Sequence, residues 1–254
     1  MAIVKLLEEQ QYSELVRSLD LRVREYTRAP AMTPYVKATG HCPPLLAQLA
    51  DEHRYVMPTR SLPRRLKEML AVAVSMVNGC AYCITAHTQV LKRMFDMGDA
   101  ELVELAATVA HVAALCRFET ATMPAGHEPL FAARRAAEVP LLGEIEDALG
   151  LLPDYFRIMA NDPGYLETVW SREKATMQGG RLERLDKEYV AFASAIASDA
   201  PYSVRLRKEL LTRMGTDEEQ LFEALEVVEL FHKNTKFTEG LQLEPGLWSD
   251  SAGA

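Results

Sequence analysis

Residues 68–87 read EMLAVAVSMVNGCAYCITAH and place a carboxylate, two thiols and an imidazole in one short stretch: Glu68, Cys80, Cys83 and His87. Residues three and four apart share one face of a helix, so Cys80, Cys83 and His87 form a line along one side. Two thiols one turn apart can close a disulfide, and an imidazole one turn further on can take a proton from Cys83. Thiols in the first turn of a helix sit where unpaired N–H groups and the helix dipole favour an anion. That setting lowers a thiol pKa from its usual value of roughly 8.5 towards neutrality. The chemistry this suggests is redox or nucleophilic.

The elements that must position these groups are helices. Asn78-Gly79 breaks the apolar run Met69–Val77, so Cys80 and Cys83 open a new helix and Glu68 belongs to the one before it. At a rise of roughly 1.5 Å per residue, Glu68 lies about 15 Å before the break and His87 about 11–14 Å after it. An antiparallel hairpin therefore brings Glu68 and His87 to similar height, where the carboxylate can orient the imidazole as a base. The helical period continues almost throughout the chain, over 5–27, 44–56, 62–78, 81–96, 100–116, 128–138, 141–149, 163–178, 183–198, 202–214 and 217–236. No alternating run suggests a sheet, so the fold is expected to be all-α.

An internal repeat appears at an offset of 120 residues. Leu62, Arg64, Lys67 and Glu68 recur as Leu182, Arg184, Lys187 and Glu188, and Tyr82 recurs as Tyr202. Arg93-Met94 recur as Arg213-Met214, with the following glycine three residues nearer in the second copy (Gly98 against Gly215). The thiols are not duplicated: Ala200, Ser203 and Arg207 stand where Cys80, Cys83 and His87 do in the first copy. The second copy reads as a structural partner, and the expected division is 1–125 for the thiol-bearing half, 126–162 for connecting helices and 163–254 for the degenerate repeat. Two pseudo-repeated units that each expose an apolar face are expected to pack as a pair.

With 254 residues, 48% hydrophobic and 25% charged, the chain is long enough to bury a core and ordinary in composition. A net charge of −8 argues against a nucleic acid or an anionic membrane as partner. The opening MAIVKLLEEQQYSEL lacks the layout of a secretion signal, and no apolar stretch is long enough for a span, so a cytoplasmic protein is expected. Four cysteines are too few for a disulfide scaffold, and in a reducing compartment a Cys-x-x-Cys pair points to catalysis or metal binding.

The pattern E-x(11)-C-x-x-C-x(3)-H, met by Glu68, Cys80, Cys83 and His87, resembles the alkylhydroperoxidase D-like (AhpD-like) core of the carboxymuconolactone decarboxylase superfamily. RRLKEMLAVAVSMVNGCAYCITAH also resembles its peroxidase-related branch. The strong match covers 61–97 and its helical context roughly 40–120. The resemblance implies an all-helical fold, assembly into homo-oligomers and a thiol peroxidase that needs no metal, flavin or haem. It implies that Cys83 reacts with a hydroperoxide, that Cys80 resolves the product, and that an external dithiol or thioredoxin-like protein is the reductant. Some relatives carry a histidine between the cysteines. Tyr82 stands there, and with a usual pKa near 10 it is a poor base at neutral pH.

Other readings stay open. A thiol–disulfide reductase would use the same pair without peroxide, and a redox sensor would use it without turnover. A lactone decarboxylase would leave the pair without a task. Zinc could be held by the pair and His87 with Cys42 or His41, although structural zinc sites usually draw on a second ligand pair well downstream. A thioredoxin-type protein needs a strand before its Cys-x-x-Cys. Glu188 persists where no thiol exists, so Glu68 has a structural role open to it as well. His111 and Cys116 read as core, and His53, His127 and His232 as solvent-facing. Packing is the expected role of Phe95, Tyr165 and Trp170, with channel lining as the alternative. The acidic run Asp217–Glu219 should open a helix.

Overall fold

The computed structural model describes residues 2–27, 29, 33–124 and 127–245. Among them are twelve α-helices and no strand: α1 (Glu14–Thr27), α2 (Pro34–Thr39), α3 (Pro43–Val56), α4 (Arg64–Asn78), α5 (Ala81–Phe95), α6 (Asp99–Thr122), α7 (Pro140–Leu149), α8 (Asp154–Met159), α9 (Pro163–Glu173), α10 (Arg184–Ala197), α11 (Pro201–Arg213) and α12 (Glu218–Gly240). The all-α expectation holds. Proline opens α2, α3, α7, α9 and α11, where its missing N–H costs nothing. Asp217 and Gln220 close a capping box on α12, as the acidic run suggested.

Two expected helices differ. No helix forms over 128–138, despite its alanines and arginines, because its backbone is bound elsewhere. Arg134 N donates to Arg157 O, Arg157 Nε donates to Arg134 O, and the Asn161 amide donates to Ala132 O. The first helix starts at Glu14 rather than residue 5, since Ile3 N donates to Leu241 O and Leu7 N to Lys37 O. The short helices α2 and α8 were not expected, and α6 and α12 run several residues beyond their expected ends.

Packing sorts the described residues into two compact units, one from Met1–Leu102 with Asp217–Ala254, the other from Val103–Thr216. This division differs from boundaries at 125 and 162, the first of which falls on residues outside those described. The repeat explains it. Helices α2–α5 recur as α8–α11, each start displaced by 120 residues, and the closing helix of each copy belongs to the other copy's unit. From Val103 onwards α6 completes the second unit, and α12 completes the first.

Each unit is fastened the same way. In the first, Lys67 is fully buried and donates to Val56 O and Pro58 O, both at 2.6 Å, while pairing with Glu223 of α12. Glu223 also accepts from Ser61 N and Leu62 N, at 2.9 and 3.3 Å. In the second unit, Lys187 donates to Thr176 O and Gly179 O and pairs with Glu104 of α6, which accepts from Arg181 N and Leu182 N. A buried ammonium with three oxygen partners is tolerated where a bare one is not. This explains why R-x-x-K-E is the most legible part of the repeat.

Candidate active site

Helix α4 is buried on nearly every side through Met69–Val74, which fixes its axis and therefore the height of Glu68. It ends at Gly79, whose φ of 76° is left-handed, and Cys80 N donates back to Ser75 O at 2.9 Å. The chain thus reverses at once into α5, with Cys80 at its N-cap. The Cys80 sulfur accepts from Cys83 N at 3.4 Å, completing the first turn of the helix.

Both cysteines are free thiols buried among Ala38, Tyr82 and Leu243. Thr238 Oγ1, from α12, lies 3.0 Å from Cys80 Sγ and 3.3 Å from Cys83 Sγ. A proton shared between the sulfurs splits their titrations. The hydrogen bond from Cys83 holds Cys80 down to about 7 against its burial, with help from the Thr238 hydroxyl. The same sharing, together with burial, pushes Cys83 up. Within the pair, the sulfur at the helix start is thus the one drawn down and the cavity-facing one the one pushed up.

Glu68 and His87 meet as the hairpin geometry requires: Nδ1 lies 2.8 Å from Oε2. The other carboxylate oxygen accepts from Arg64 at 3.3 Å, and Arg64 donates to Tyr26 O and lies over the Tyr26 ring. The His87 ring packs edge-on against Phe231 of α12, centroids 4.4 Å apart, and His53 of α3 packs against the same ring at 5.6 Å. No hydrogen bond joins the imidazole of His87 directly to either sulfur among the described residues.

What brings the groups together is a cavity of about 520 Å³ lined by Cys83, His87, His53, Tyr26, Phe231 and Thr238, among others. Cys80 is not on its wall. His53 was expected at the surface; instead it is half-buried on this wall, and burial followed by the nearby His87 pushes it down to about 4. Its Nδ1 donates to Leu49 O, leaving Nε2 as the lone-pair nitrogen. From the sequence alone His53 reads as a surface residue and Thr238 goes unmarked, since both come from helices outside the motif. Tyr82 also lines the cavity, and burial pushes its phenol up, away from any role as a base.

The second unit shows the same frame with different chemistry. Glu188 pairs with Arg184 and, at 3.0 Å, with Arg207, which stands in the place of His87. Glu173, in the place of His53, lies 2.5 Å from His111 Nε2, and Arg172 Nε donates to His111 Nδ1. His111 and Cys116 are core residues, as expected, and Cys116 is pushed up to about 11 by burial. Trp170 is buried against Phe156, Tyr165 is exposed and Phe95 is half-buried. Cys42 is exposed and the His41 ring bonds Lys5 O, so neither joins the thiol pair.

Among curated proteins none matches significantly. One solved structure with this fold is a candidate gamma-carboxymuconolactone decarboxylase subunit from Burkholderia xenovorans LB400, 14% identical, with a TM-score of 0.63 over 89% of this chain and 96% of that one. No helix among the described residues is long and apolar enough to cross a membrane. Residues 43–126, which hold Glu68, Cys80, Cys83 and His87, match the Carboxymuconolactone decarboxylase family.

Proposed function

We propose that this protein is a thiol-dependent peroxidase that turns over through a Cys80–Cys83 disulfide, with a hydroperoxide as substrate and an external dithiol as reductant. The observation that carries the reading is that Cys83 and His87 line one cavity while Cys80 lies beneath it, hydrogen-bonded to Cys83. A peroxide entering the cavity meets Cys83 first. As the Cys83 sulfur attacks the near peroxide oxygen, its proton passes through the substrate hydroxyl to His87 and on to the departing oxygen. The S–O bond forms, the O–O bond breaks, and the products are Cys83 sulfenic acid and an alcohol or water. Cys80 then attacks the sulfenic sulfur, the S–O bond breaks as the S–S bond forms, and the departing hydroxide takes a proton from solvent to leave as water. Two thiols of the reductant restore the pair. Glu68 fixes the tautomer and orientation of His87 throughout.

The family match also supports a second reading, a lactone decarboxylase that uses Glu68 and His87 as its acid–base pair and leaves the cysteines idle. One experiment separates the two: intact mass after one equivalent of peroxide, on wild type, Cys80→Ser and Cys83→Ser. The peroxidase loses two hydrogens in wild type, gains one oxygen in Cys80→Ser and is unchanged in Cys83→Ser. A wild type that reacts no faster than the exposed Cys42 refutes the peroxidase.

A further inference from the structure

We propose that Thr238 is the group that holds negative charge on the sulfur pair, so that α12, the closing helix of the second repeat, is part of the reactive site of the first. The inference takes its purpose from the dithiol chemistry above, but its test does not depend on peroxide.

The argument is a count of protons. Thr238 Oγ1 lies 3.0 Å from Cys80 Sγ, 3.3 Å from Cys83 Sγ, 3.0 Å from Asn234 O and 3.1 Å from Thr235 O. A hydroxyl has one proton to give and two lone pairs to offer. Both carbonyls only accept, a thiol donates weakly and a thiolate only accepts. With both sulfurs protonated, the hydroxyl turns to a carbonyl and accepts from S–H. Once a sulfur is ionised, the same proton turns to it. Thr238 is 1% exposed, so water does not compete for either arrangement. A donor to a buried anion is worth more than one to a neutral group.

The second unit supplies an independent contrast. There the closing helix, α6, places Glu119 at the first turn of α11, accepting from Tyr202 N at 2.8 Å, Ser203 N at 2.9 Å and the Ser203 hydroxyl. Both units use the closing helix to complete the start of the repeat's second hairpin helix. In the second, it brings the anion. In the first, it brings a donor, and the anion is the sulfur itself. The neighbourhood of the pair is otherwise poor in charge: Tyr35 from α2, Tyr82 and His87 from α5, and Glu239 from α12, whose carboxylate pushes both thiols up. Among these, Thr238 is the hydroxyl in contact with both sulfurs.

Thr238→Val keeps the shape and deletes the hydroxyl. Thr238→Ser and Thr238→Ala both lose the methyl and differ only in the hydroxyl, so this pair carries the test if the valine variant does not fold. The measurement is ultraviolet thiolate absorbance against pH on the full chain, with Cys80→Ser/Cys83→Ser subtracted. Valine and alanine variants should show roughly tenfold less thiolate at neutral pH, and serine should titrate with wild type. A valine variant that titrates with wild type, or alanine and serine variants that titrate together, overturns the assignment. Absence of peroxide oxidation in the wild type would instead refute the peroxidase and leave this titration readable.

Discussion

The two units carry the same carboxylate on the same scaffold and do opposite things with it. Glu68 faces an imidazole at the edge of a cavity, whereas Glu188, in the same R-x-x-K-E frame, is closed in by Arg184 and Arg207. His53 in one is Glu173 in the other, and Thr238 is Glu119. In the second unit Glu188 is matched by two arginines, Glu119 by backbone N–H groups and a hydroxyl, and Glu173 by His111, whose other nitrogen accepts from Arg172. In the first, the partners are groups that can lose or gain a proton. The glutamate is therefore scaffold in both units, and the residue nineteen positions later decides whether it faces an imidazole or a guanidinium.

Breaking the matched network should have the largest effect. Arg207→Met leaves Glu188 and Glu173 buried beside an apolar chain and should cost about 3–5 kcal/mol in denaturant unfolding. Activity per folded molecule should be unchanged. His87→Gln should invert this pattern: peroxide turnover falls on the order of 10²-fold, while stability moves by no more than about 1 kcal/mol because Arg64 still pairs with Glu68. Equal stability losses in the two variants would erase the distinction between the units.

A pH series sharpens the comparison further. Because Cys80 is held down to about 7, the charge on the pair is present above that pH and disappears as pH falls through it. The rate of disulfide closure after oxidation, in which Cys80 is the attacking thiolate, should fall by about tenfold per pH unit on the acid side. His53, pushed down to about 4, stays neutral over roughly pH 5–8, so His53→Gln should leave the midpoint of that profile in place. A midpoint that moves with His53 would assign it a proton-carrying role. The smallest effect concerns the hairpin turns. Gly79→Ala, at φ 76°, should cost about 1 kcal/mol. Asp199, its counterpart, already sits at φ 51°, so Asp199→Gly should gain up to about 1 kcal/mol in thermal unfolding.

Much of this was legible in the sequence, for local reasons. The α4–α5 hairpin was readable because Asn78-Gly79 interrupts a strong period, and the meeting of Glu68 with His87 follows from helical rise alone. The repeat was readable because the buried lysine and its neighbours recur at fixed spacing. What escaped are features settled by distant partners. Arginine- and alanine-rich 128–138 has helical propensity but binds its backbone to Arg157 and Asn161. His53 looked solvent-facing because its sequence neighbours are charged, and only the packing of α3 beside Phe231 turns it to the cavity. Nothing local to Thr238 announces sulfur, and nothing local to α6 or α12 announces that the two have traded units.

That trade has a consequence for biosynthesis. Thr238 follows Cys83 by 155 residues, so a ribosome exposes the cysteine pair long before it makes the helix that packs against it. During that interval the nascent thiols lack the hydroxyl and the Phe231 wall that shape them in the finished protein. The setting of the thiols thus arrives late, only after the second repeat has been translated, and a chain abandoned partway carries its cysteines without it.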